Sequence, residues 1–120
     1  MSPLEATRPA SARIGIARLA EEVIAADPGV GPTAGNGRWV TRDGDRVLPG
    51  VVVAASGAGR VDVDLHLVAF LPLRPLDQQA ASVRAGLAGA ARRAGAAGRL
   101  GEIDVTFHDL RERVAEEEAR

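Results

Sequence analysis

The chain has 120 residues, a formal net charge of −1, a hydrophobic content of 46% and an aromatic content of 2%. This length closes about one core, which must be built from Val, Leu, Ile and Ala. The charge balance argues against a nucleic-acid binder, which displays a basic face to phosphate. With no cysteine, disulfides, thiolate metal sites and cysteine nucleophiles are excluded. All basic residues are arginine, which fits the coding bias of a GC-rich genome.

Residues 1–10, with Pro3 and Pro9, read as a disordered lead-in without the apolar core of a signal peptide. No apolar run approaches the roughly 18 residues of a membrane span, so a cytoplasmic protein without direct membrane insertion is expected. The single domain is expected over 11–109, followed by a charged tail or short helix over 110–120.

From Ile14 the spacing is helical. Ile16, Leu19, Ala20, Val23 and Ile24 form one apolar stripe, Ser11 is placed to cap the helix, and Asp27-Pro28-Gly29 stops it. The glycine-rich segment 30–50 contains the turn dipeptides Asn36-Gly37 and Asp43-Gly44, with a short strand predicted over 38–42. Trp39 either covers a sheet end or lies on the surface.

Residues 51–55 and 60–70 flank Ser56-Gly57-Ala58-Gly59 and read as an antiparallel hairpin. On the second strand Val61, Val63, Leu65, Leu67 and Ala69 face the core, while Asp62, Asp64, His66, Val68 and Phe70 point the other way. The Ala-rich stretch 76–94 returns to helical spacing, with Leu76, Ala80, Val83, Leu87, Ala90, Ala91 and Ala94 inward. Gly95 to Gly101 ends that helix. In the last strand, 102–108, Ile103, Val105 and Phe107 face inward, opposite Asp104, Thr106 and His108. The fold class is therefore α/β in the α+β sense: a two-layer sandwich of order α-β-β-α-β. Its mixed sheet has three or four strands, the helices lie mainly on one face, and the last strand runs parallel to a neighbour.

These residues also resemble the alkaline shock protein family, described as envelope stress response proteins. The likeness rests on the first helix ending in Asp27-Pro28-Gly29-Val30, on Pro49-Gly50-Val51-Val52-Val53, on Val61-Asp62-Val63-Asp64-Leu65 after a glycine turn, and on the final Ile103-Asp104-Val105. It covers roughly 14–109. Phe70-Leu71-Pro72 stands where the family often has an aromatic-glycine pair, and the family's surface lysines are absent. The resemblance implies a small non-enzymatic scaffold that self-associates or is held near the membrane by a membrane-anchored protein partner. It supplies no catalytic residue and no cofactor.

Three constellations carry alternatives. Asp62, Asp64, His66 and His108 are competent ligands for zinc or manganese and competent acid-base groups, which allows a small metal- or ligand-binding enzyme. The plainer reading is a solvated sheet face. Gly95-Ala96-Ala97-Gly98, beside Arg92, Arg93 and Arg99, has the form of the RNA-clamping GXXG loop of a weak RNA binder, but such a loop joins two helices and this one leads from helix to strand, which favours a helix cap with a flexible turn. The glycines from Gly29 to Gly37 follow a helix instead of opening one, so they read as turns and not as a phosphate loop. For protein contacts, the expected surfaces are the sheet edge at Val51 and Val53 and the outer face at Val68 and Phe70.

Overall fold

The computed structural model describes residues 9–72 and 74–112, with the backbone alone at 9–11. Helix α1 spans Pro9–Ala26, followed by strands β1 (Val30–Pro32), β2 (Val40–Asp43), β3 (Arg46–Pro49), β4 (Val51–Gly57) and β5 (Arg60–Phe70). Helix α2 (Leu76–Arg93), a short 3-10 turn (Ala97–Arg99) and β6 (Leu100–Arg111) complete the order. The expected two-layer α+β fold is present, and the sheet is four-stranded and mixed. A second, two-stranded ribbon, β2 with β3, was only half anticipated as one short strand. The missed strands β1 and β3 are three and four residues long, too short to show a period.

Strand β5 is the axis of the sheet. Its first half pairs antiparallel with β4, from Val51↔Leu65 to Gly57↔Arg60, and its second half pairs antiparallel with β1, from Pro32↔Leu67 to Val30↔Ala69. Because Val61 and Val68 also pair with β6, β4 and β1 must share one edge of β5 while β6 takes the other. The β5–β6 ladder is parallel, as the helical crossover requires. Among the described residues no strand pairs with the far edge of β6.

Alternation along β5 sends Val61, Val63, Leu65 and Leu67 into a core shared with Ile16, Ala17, Ala20 and Ile24 of α1 and Val83 and Leu87 of α2. Each Val, Leu or Ile among them contributes roughly 1.5–3 kcal/mol on burial, so this face holds most of the fold together. On β6, Ile103, Val105 and Phe107 are only half-buried against that core.

Several local expectations need correction. Helix α1 begins at Pro9, placing Ser11 inside the first turn; proline suits the first helical position, where its missing N–H is no loss. Leu76 is exposed and Gln79 is 4% exposed in its stead, because the Gln79 amide donates to Asp27 Oδ2 at 2.9 Å and ties α2 to the end of α1. Ala94 also lies outside the buried stripe. Strand β6 runs past Asp109 to Arg111, where the Leu71 N–H donates to the Arg111 carbonyl at 2.9 Å. The remainder of the expected lead-in and tail, 1–8 and 113–120, lies outside the described residues.

Candidate functional site

The outer face of the sheet carries the polar half of the β5 and β6 alternation. The parallel register sets Asp64 beside Asp104 and His66 beside Thr106. Between Leu67↔Phe107 and Val68↔Asp109 the ladder slips by one residue, and the extra residue is His108. A bulge of this kind re-aims a side chain. Here it brings together the only two histidines in the chain, with His66 Nδ1 and His108 Nε2 2.9 Å apart.

Trp39 covers both. Its indole lies 4.5 Å from the His66 ring at 3° and 4.0 Å from the His108 ring at 23°. The imidazole centroids are 5.1 Å apart, too close for the indole to sit between them, so the rings lie side by side beneath one indole face. Arg38 stands 6.0 Å over the indole.

The backbone explains how a tryptophan from a glycine-rich loop reaches this position. The His66 carbonyl accepts from the Thr33 N–H at 2.9 Å, the His66 N–H donates to Gly50 at 2.8 Å, and the Gly50 N–H donates to the Trp39 carbonyl at 2.7 Å. The strap 33–39 is thus stitched to β5 at the residue whose side chain it covers. Two glycines make the approach possible. Gly50 has φ +76°, and a Cβ there would meet the His66 carbonyl oxygen at 2.7 Å; Gly35 has φ +57°, and a Cβ there would enter the indole at 2.3 Å. The β2–β3 ribbon that follows the strap is anchored on α1 by the two-pronged Arg18–Asp43 contact, 2.7 and 2.9 Å, and by Arg46 with Glu21. The guanidinium of Arg18 holds the Asp43 carboxyl below the usual carboxylate range.

Of the sequence-predicted ligands, His66 and His108 meet, as the outward parity of both strands suggested. Asp62 does not join them, because its Oδ1 accepts from the Glu102 N–H at 2.9 Å and pins the start of β6. Asp64 and Asp104 lie exposed on the same face. Among the described residues no three His, Asp or Glu side chains converge as a metal site. The contact between His66 and His108 instead has the geometry of an imidazole N–H···N hydrogen bond. Burial, and next the neighbouring His108 charge, hold the His66 imidazole below its ordinary range, against the pull of Asp64.

The expected interaction residues fall differently. Val51 and Val53 have buried side chains, 0% and 7% exposed, and the Val51 carbonyl accepts from Thr41 Oγ1 at 2.6 Å, so the start of that edge is already engaged. Val68 is 2% exposed, and Phe70 is half-buried close to Gly31. The role of Trp39 was not legible in advance, because nothing in its own segment marks which distant face a loop tryptophan will cover. At the GXXG segment, the Gly95 N–H bonds Arg92 at 3.1 Å and the Ala96 N–H bonds Ala91 at 2.7 Å, the paired bonds of a glycine helix cap.

No family model, curated protein or solved structure matches the chain. Among the described residues no helix is long and apolar enough to cross a membrane.

Proposed function

We propose that the chain is a non-enzymatic interaction module whose copies associate through β6. It acts as a small scaffold of the kind implied by its resemblance to envelope stress response proteins, held near the membrane by a membrane-anchored partner. The observation that carries this reading is the free edge of β6, twelve residues long and unpaired among the described residues. Unpaired strand edges are templates for further pairing.

The sequence of β6 suits a second copy of itself. The stretch 103–107 lies between the two register slips and is centred on Val105. An antiparallel two-fold pairing about Val105 would set Ile103 against Phe107 and Val105 against Val105 on the inner face. On the outer face it would set Asp104 against Thr106 and Glu102 against His108, with no like charges opposed. Shifting the centre to Asp104 would put two aspartates face to face, which is unfavourable. The half-buried Ile103, Val105 and Phe107 would complete their burial in the paired form.

Light scattering over a wide concentration range tests this. Thr106→Asp places carboxylates opposite Asp104 of the second copy and is expected to weaken association at least tenfold, whereas Thr106→Lys is expected to preserve or tighten it. Equal behaviour of the two variants would overturn the pairing. A wild-type chain that stays monomeric at every concentration would overturn self-association itself.

A further inference from the structure

The side-by-side histidines under Trp39 cannot serve as a metal clamp without rearrangement. Their nearest nitrogens point at one another across 2.9 Å, a separation filled by a single shared proton. Metal binding would need both nitrogens to turn toward a common point about 2.0–2.1 Å from each. What the pair can bind as it stands is a proton, and the number of protons it holds decides whether it survives. An N–H···N bond requires one of the facing nitrogens to be bare. A second proton replaces that bond with two facing N–H groups and two like charges.

We propose that Trp39, His66 and His108 form a proton-operated latch, which holds the strap 33–39 on the outer sheet face until both imidazoles are charged and then releases it.

The surroundings set the balance. On β5, Asp64 favours the charged form of His66; on β6, Asp104 lies on the same face as His108, and Asp109, beside the bulge, is engaged by Arg111 at 3.1 Å. On the strap, Arg38 is positive and opposes further charge beneath the indole. Strand β1 and Gly50 contribute no ionisable group. Thus one proton in the pair is tolerated and the second is resisted. The strap has few other ties to this face, chiefly the Thr33 and Gly50 backbone bonds described above. The β2–β3 ribbon keeps its separate anchors on α1, so release of Trp39 does not require the domain to unfold.

The sign of the pH effect follows. His66 binds its proton less readily in the folded chain than in the unfolded one. Its contribution to stability is therefore complete above the ordinary histidine range, about 6.5, and is lost as pH falls below it through the lowered folded value. The latch is closed at neutral and alkaline pH and opens on acidification.

The protein provides its own probe, since Trp39 is the only tryptophan and there is no tyrosine. Titrating the full chain downward from neutral pH is expected to shift Trp39 emission to the red while far-ultraviolet circular dichroism stays constant. His66→Asn and His108→Gln, which remove the titrating groups, are expected to lose that transition. Because either variant could fail to fold, the wild-type imidazoles should also be titrated by NMR. Two separated, coupled steps are expected, with the Trp39 indole signal moving on the second. Independent titration of the histidines with Trp39 unmoved, or an emission transition that survives in folded variants, would overturn the latch. The titration is read at low concentration, where copies are dissociated, so that Glu102 of a second copy does not stand beside His108 and failure of the latch is distinguishable from failure of β6 pairing.

Discussion

The two faces of β5 are made by the same strand and behave as different materials. The inner face is aliphatic, with Val61, Val63, Leu65 and Leu67 each no more than 2% exposed, packed by two long helices. The outer face is polar from Asp62 to His66 and apolar at Val68 and Phe70, and a loop brings one aromatic ring over its two imidazoles. Burial on the first face is non-directional and spread over many contacts. On the second it depends on a few directional contacts and on two positions without a Cβ. The first face therefore supplies stability, and the second can change state at small cost.

That contrast can be broken from either side. The largest effect is expected from Leu67→Ala, which opens a cavity in the fully buried inner layer and should cost about 2–5 kcal/mol, measured by the denaturant midpoint. Next comes Gly50→Ala, which forces a side chain into a left-handed backbone at a cost of about 1–2 kcal/mol from conformation alone. It also drives the new methyl toward the His66 carbonyl. Its diagnostic is different in kind: Trp39 emission should move to the red even where the fold persists, whereas Leu67→Ala should leave emission unchanged in the folded fraction. The smallest effect on stability belongs to Thr106→Asp, within about 0.5 kcal/mol for an exposed position, so its effect on association can be read without a folding correction.

The inner face was legible because period is a strong signal. Five alternating apolar residues in β5 and the helical stripe of α2 determine which sides meet, and the parallel placement of β6 follows from the crossover. Leu76 and Gln79 show the limit: their exchanged exposure depends on where Asp27 ends up, which no local pattern states. The outer site was half legible. Outward parity put His66 and His108 on one surface, but their contact needed a one-residue slip in β6. Their cover needed Trp39, whose destination is set by backbone bonds through Gly50 to a strand 27 positions away in sequence, from residue 39 to residue 66. Val51 and Val53 show another limit: alternation distinguishes the two faces of a strand but does not say that the hydroxyl of Thr41 will occupy the edge at Val51.

Amide hydrogen exchange along β6, measured on the wild-type chain at low and high concentration, is the most direct test that copies join through this edge. The expected result is that amides within 103–107 become more protected as concentration rises, while those of β4 do not change. Association accompanied by unchanged exchange in β6, or by new protection along β4, would contradict the account.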